Sequence, residues 1–233
     1  MNKLLGILGG LGPLASAEFL KTIYELNVTD LEQQSPACIL YSEPRFPDRT
    51  DAILGGSDEL LISLLVKSLE NLCQMGVSKV VLACVTMHYF LPKVPLPLRE
   101  KVISLIDLIV TEVLTVGKNH LLLCSNGARQ AGIFHKYERW NLVEPNVLLP
   151  DDGDQNMLQS CIYQIKSNSD KDNIIIYIKQ LYEKYKVDSI IAGCTEFHII
   201  NKHFMKSDLN ELNYHIVDPL ITIAKNMNEF MDA

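Results

Sequence analysis

Two thiols carry the strongest chemical signal in the sequence. KVVLACVTMH (79–88) and SIIAGCTEFH (189–198) match: an apolar run closes on a cysteine, Cys84 or Cys194, and a histidine, His88 or His198, follows four residues later. Thiols on opposite sides of a bound α-carbon can invert it without a cofactor. One thiolate removes the α-proton and the other thiol delivers a proton to the opposite face, whereas a single base returns the proton to the side it came from. A free thiol with a pKa of ~8.5 is only a few per cent thiolate at neutral pH, so the chemistry asks for a polar, helix-start setting. Thr86, Thr195 and Glu196 are placed to supply it. Two other readings compete: a pair of small core thiols, and a Cys2His2 zinc set made of Cys84, His88, Cys194 and His198. The symmetric placement argues against the first. Against the second, structural zinc usually takes ligands from tight C-x2–4-C knuckles, and here two C-x3-H pairs lie 110 residues apart. No metal is expected, and His88 and His198 flank the site as ordinary hydrogen-bonded side chains.

Three further segments could bind a ligand. GILGGLGPLAS (6–16) holds Gly10-x-Gly12-x-x-Ala15 between an apolar run and an amphipathic one, with Glu43 just after the next apolar run. That is a Rossmann-like fingerprint and supports a second class of function, a nicotinamide-dependent oxidoreductase or nucleotide-binding module. Pro13 removes one of the amide donors a pyrophosphate would want at the helix start. The alternative is a turn at Gly10 and Leu11 that lets a small carboxylate approach the backbone. EPRFPDRT (43–50) places Arg49 in a loop rich in turn formers, where its planar fork could grip a carboxylate. Lys166, closing CIYQIK (161–166), reads by itself as a surface residue at a helix end.

These residues need elements to position them, and 233 residues suffice for one large α/β domain or two small ones. Apolar runs alternate with amphipathic stretches: strand 3–8, helix 14–26, strand 37–42, helix 58–75, strand 78–84, then helix 98–116. The series resumes with strand 120–125, helices near 129–139, 155–167 and 173–186, strand 188–194, a last strand 214–218 and a helix opened by Asp218-Pro219. Each half opens with an apolar strand running into a glycine turn, at Gly9-Gly10 and at Gly127. Near-continuous apolar strands call for parallel, helix-covered sheets. The spacing therefore predicts an α/β fold of two pseudosymmetric domains, residues 1–97 with 214–233 and residues 98–213. Ligands of such sheets bind beyond the carboxyl ends of strands, so a pseudo-twofold relation would set the two thiols across one cleft.

Composition narrows the partners. A net charge of −7 without a Lys/Arg stripe argues against nucleic acid, and the apolar runs fall far short of the ~20 residues of a membrane span. With no secretory signal at the N-terminus and six scattered cysteines read as reduced thiols, a cytoplasmic protein acting on a small molecule is expected.

Taken in order and at these spacings, GILGGLGP, PDRT, ACVTMH, IYQIK and GCTE resemble the aspartate/glutamate racemase family, in its aspartate racemase branch, nearly end to end. The resemblance implies two pseudosymmetric α/β domains with the active site between them, usually as a homodimer, using neither pyridoxal phosphate nor metal. It implies that Cys84 and Cys194 are the acid/base pair, Cys194 serving the L-face proton and Cys84 the D-face proton. Arg49 and Lys166 would bind or orient the side-chain carboxylate. Thr86 and Thr195 would hold the α-carboxylate or α-amino group, and Glu196 would assist the second thiol. The chain departs from the family pattern at Val85, where Asn is usual, and in CSNGA (124–128), where Ser125 keeps a hydroxyl and Ala128 loses one. The resemblance points to interconversion of L- and D-aspartate, then to glutamate, then to relatives acting on hydantoins, malonates or maleate.

Overall fold

A computed structural model describes residues 3–117, 119–169, 171–206 and 215–232. In chain order the elements are β1 (Leu4–Gly9), α1 (Pro13–Leu26), β2 (Ala37–Ser42), α2 (Arg49–Gly55), α3 (Glu59–Gln74), β3 (Lys79–Leu82), α4 (Leu96–Arg99), α5 (Leu105–Val113), β4 (His120–Leu123), α6 (Asn126–Gln130), β5 (Val147–Leu148), α7 (Asp152–Lys166), α8 (Asp172–Tyr185), β6 (Ser189–Ala192), α9 (Glu196–Lys206), β7 (His215–Val217), α10 (Pro219–Lys225) and α11 (Met227–Asp232). None of the helices among the described residues is long and apolar enough to cross a membrane. The chain forms two compact units, one running to Leu105 and taken up again from Leu220, the other comprising Ile106–Pro219.

In the first unit a three-stranded parallel sheet has the order β2-β1-β3. Strand side chains alternate between faces: Leu8, Val80 and Leu82 join the cluster built on Leu61, Leu65, Leu69 and Leu72, the helically spaced stripe of α3. On α1, Ala15, Phe19 and Ile23 form the buried stripe, and the helix packs against β1 and β2.

The second unit repeats the plan, with parallel order β5-β4-β6-β7. Leu121, Leu123, Ile190 and Ala192 share a cluster with the apolar stripes of α7 and α8, among them Leu158, Ile162, Ile165, Ile174 and Ile178. In both units the first strand is central, the second lies on one side and the third on the other. The fourth position matches as well. β7 flanks β6, and Val102 makes a parallel bridge to Val80 beside β3.

Several local expectations give way. The continuous helix 98–116 is broken into α4 and α5, because Val80 N donates to Lys101 O and Ile103 N to Val80 O, both at 2.8 Å, pulling residues 101–103 into the sheet. The helix expected near 129–139 is α6 followed by short 3-10 turns at Phe134–Lys136 and Glu138–Leu142, with Gly132 at φ +59° ending the first. Arg49 begins α2 rather than lying in a loop, since Asp48 caps the helix by accepting from Thr50 N and Asp51 N. Gly127 lies inside α6, not in a glycine turn. The last strand begins at His215, Tyr214 lying outside the described residues.

Candidate active site

In the first unit, Cys84 comes two residues after the end of β3, and the following segment Val85–Lys93 winds as a 3-10 helix containing Pro92, where a regular helix start is expected. Cys84, Val85, Thr86 and His88 are all buried. The Cys84 carbonyl accepts from Met87 N at 3.2 Å and faces His88 Nδ1 at 3.3 Å. His88 Nε2 accepts from Leu105 N at 3.1 Å, so the ring is neutral with its proton on Nδ1.

Gly10 ends the neighbouring central strand with φ +86°, and a Cβ there would come within 2.4 Å of the Glu43 backbone, so only glycine fits. Leu11, buried beside it, shares the apolar cluster of Cys84 and Phe46. Arg49 ties in the next loop, its Nη2 donating to Leu11 O at 2.6 Å and its Nη1 to Pro47 O at 3.2 Å. Gly10, Leu11, Arg49 and the Cys84–His88 segment thus gather at the carboxyl edge of one sheet.

The glycine turn is poorly furnished for a nucleotide. Gly10 N donates to Ser16 Oγ at 3.3 Å, and Pro13 opens α1 without an N–H. Arg45 donates three hydrogen bonds to the Glu43 carboxylate, which these bonds lower to a pKa of about 2. A ribose hydroxyl would have to displace them.

In the second unit, Cys194 Sγ donates to Glu196 Oε2 at 2.8 Å. Glu196 is 2% exposed; its Oε1 lies 3.9 Å from Lys166 Nζ and has no hydrogen-bond partner among the described residues. Lys166, the last residue of α7, also lies over the Tyr163 ring, 5.4 Å from its centroid. When the thiol gives up its proton, the carboxylate can receive it or share it, and the ammonium offsets the negative charge left on the pair. Thr195 is buried between the two. Ser125, at the carboxyl end of the adjacent β4, uses its hydroxyl to cap α6, accepting from Ala128 N at 3.2 Å.

None of the six cysteines is in a disulfide. Burial pushes the Cys38 thiol up to about 11 and the Cys124 thiol up to about 12, so both stay protonated at neutral pH. Sequence reasoning missed the buried polar partners behind the site. Asp218 Oδ2 takes bonds from His198 Nδ1 at 2.8 Å and Asn201 Nδ2 at 3.0 Å. Gln155 Nε2 reaches Cys124 O and Asn126 Oδ1, each at 2.9 Å. The i, i+3 spacing of His198 and Asn201 was the available signal for the first of these.

The family model described as Asp/Glu/hydantoin racemase matches residues 8–225. The chain belongs to that racemase family. Among solved structures it is similar to the aspartate racemase of Picrophilus torridus, at 23% identity and a TM-score of 0.79, covering 99% of this chain and 100% of that one. It is also similar to an aspartate racemase homologue from Pyrococcus horikoshii, at 20% identity and a TM-score of 0.69, covering 100% of each chain. A glutamate racemase from Francisella tularensis, in complex with D-glutamate, matches at 16% identity and a TM-score of 0.63, covering 99% of this chain and 81% of that one. At these identities the likenesses show the fold, the two-sheet α/β architecture of the racemase.

Proposed function

We propose that the protein interconverts L- and D-aspartate by two-base proton transfer at the α-carbon, with Cys84 and Cys194 as the bases and no cofactor. The observation that carries this reading is that each unit sets one thiol two residues beyond its third strand, each followed by a tight turn closed onto the cysteine carbonyl. In the L-to-D direction the Cys194 thiolate takes the α-proton, the electron pair passes into the carboxylate-stabilised carbanion, and the Cys84 thiol delivers its proton to the opposite face. The enzyme is left with thiol at 194 and thiolate at 84, ready for the reverse turnover.

Arg49 and Lys166 bind the side-chain carboxylate in this reading, which favours an acidic substrate over a neutral one. Thr86, Thr195 and Ser125 hold the α-substituents, donating to the α-carboxylate or accepting from the α-amino group, and the Gly10-Leu11 backbone lets a carboxylate approach. The active form in this reading is a cytoplasmic homodimer. The aspartate racemase of Picrophilus torridus and the aspartate racemase homologue of Pyrococcus horikoshii among the structural relatives support aspartate ahead of glutamate.

The test is incubation with L-aspartate in D2O under reducing conditions, following the Cα proton and the enantiomer ratio. Loss of the proton signal together with D-aspartate is expected, and Cys84→Ala or Cys194→Ala abolishes racemisation. Full turnover in either variant defeats the two-base assignment. If aspartate and then glutamate are both inert, the substrate assignment fails and Val85→Asn and Ala128→Thr are the first reversions to make.

A further inference from the structure

A buried histidine accompanies each thiol. His88 and His198 each stand four residues beyond a thiol and are buried, 1% and 0% exposed, yet neither belongs to the proton-transfer steps above. Each is bonded to the chain just past the outermost partner of its sheet. His88 Nε2 accepts from Leu105 N, two residues beyond the 101–103 stretch that pairs with β3. His198 Nδ1 donates to Asp218, the residue after β7, which also holds Asn201 one turn further along α9. The two units reach the same connection with different chemistry, a backbone amide in one and a carboxylate in the other.

The turn between thiol and histidine also carries bonds of its own. Met87 N bonds Cys84 O in the first unit, and Phe197 N bonds Cys194 O in the second, at 3.2 and 3.1 Å. A proton-transfer group must sit within a fraction of an ångström of its target. We propose that His88 and His198 are positioning residues, each tying the turn that carries its thiol to the segment leaving the outer edge of the sheet. His88 also fixes the Cys84 carbonyl through Nδ1. The Asp218 connection holds the first turns of α9, and with them the Glu196 carboxylate that accepts from Cys194. The proposal deepens the racemase reading but has a readout independent of it.

That readout is the alkylation rate of Cys84 and Cys194 by iodoacetamide across pH, resolved by peptide mass, since the rate reports thiolate fraction and access. His198→Leu is expected to change the Cys194 profile by about threefold or more near pH 8 while leaving Cys84 as in the wild type. His198→Asn, whose Nδ2 takes the place of Nδ1 toward Asp218, restores most of it, and His88→Leu gives the mirror result at Cys84. Where racemisation is present, kcat falls in these variants with KM little changed. Unaltered profiles in folded variants overturn the proposal, as does an equal change at both thiols, which marks general loosening. Should His198→Leu fail to fold, His198→Met, which offers Asp218 no donor, carries the same comparison. Failure of both to fold makes the pair purely structural and also overturns it. An alkylation response without racemase activity in the wild type would retain the positioning role and remove the aspartate reading.

Discussion

An alanine at position 193 would set its Cβ 2.7 Å from Leu122 Cδ1 and 3.0 Å from both Leu123 O and Phe134 Cζ. Leu122 or Phe134 must move, or Gly193 must, and Gly193 is the residue directly before Cys194. Overpacking a close-packed interior by one methyl costs about 1–3 kcal/mol. Gly193→Ala is therefore expected to lower the unfolding free energy by that amount, read as a lower urea midpoint, and to change Cys194 alkylation, whereas the corresponding residue of the first unit, Ala83, is already buried as alanine. A variant with wild-type stability and wild-type Cys194 reactivity would contradict this. The two cysteines are legible in the sequence because an apolar run ending in Cys repeats. The demand for glycine before only one of them is not, because it comes from distant neighbours, Leu122 on β4 and Phe134 in a segment whose composition reads as helix.

Among elements, α7 is the one whose placement has the clearest electrostatic signature. Asp151 caps its N-terminus by accepting from Asp154 N, and Lys184 of α8 bonds Asp151 Oδ2 at 2.7 Å and Asp154 Oδ2 at 2.6 Å. The Lys184 bond, then the Asp154 amide, lower Asp151 to a pKa of about 2. Asp154 is raised by burial but lowered on balance by Lys184, Tyr185 and Tyr177. Carboxyls depressed in the folded state add stability above their unfolded value, 3.8, and lose it as pH falls through the folded one. Stability should thus decline between about pH 4 and 2, and Lys184→Met should flatten that decline while weakening protection of the α7 N-terminus at neutral pH. Identical acid profiles from chemical denaturation of the two proteins would rule this out. The helix itself is legible from its apolar period, but its start at Asp152 depends on a partner 33 residues away from Asp151. The same kind of distant bond, Val102 to Val80, breaks the aliphatic stretch after Leu98 into two helices and a sheet contact, although its local pattern favours a single helix.

For the whole molecule the decisive fact is that the first unit is discontinuous in sequence. Its strands and first helices fold from the N-terminal stretch, but α10 and α11 are supplied only after the chain has built the second unit and turned at Asp218-Pro219. The turn is legible from the Asp-Pro pair, while the helices' destination depends on packing that no local pattern encodes. Leu220, Ile223 and Met227 are 0%, 0% and 4% exposed, and Asn27 Nδ2 of the first unit donates to Ala224 O at 2.8 Å. Burying such side chains contributes about 1.5–3 kcal/mol each, a large share of the roughly 5–15 kcal/mol that holds a domain folded. A chain ending at Pro219 should therefore lose protection selectively. In hydrogen exchange, amides of β1 and α1 are expected to exchange orders of magnitude faster than in the full chain, while those of β4 and β6 stay protected, because cooperative units open separately when one is destabilised. Uniform loss across both sheets would mean that the units do not fold as separate bodies, and unchanged protection in β1 would mean that the returning helices hold nothing the first unit needs.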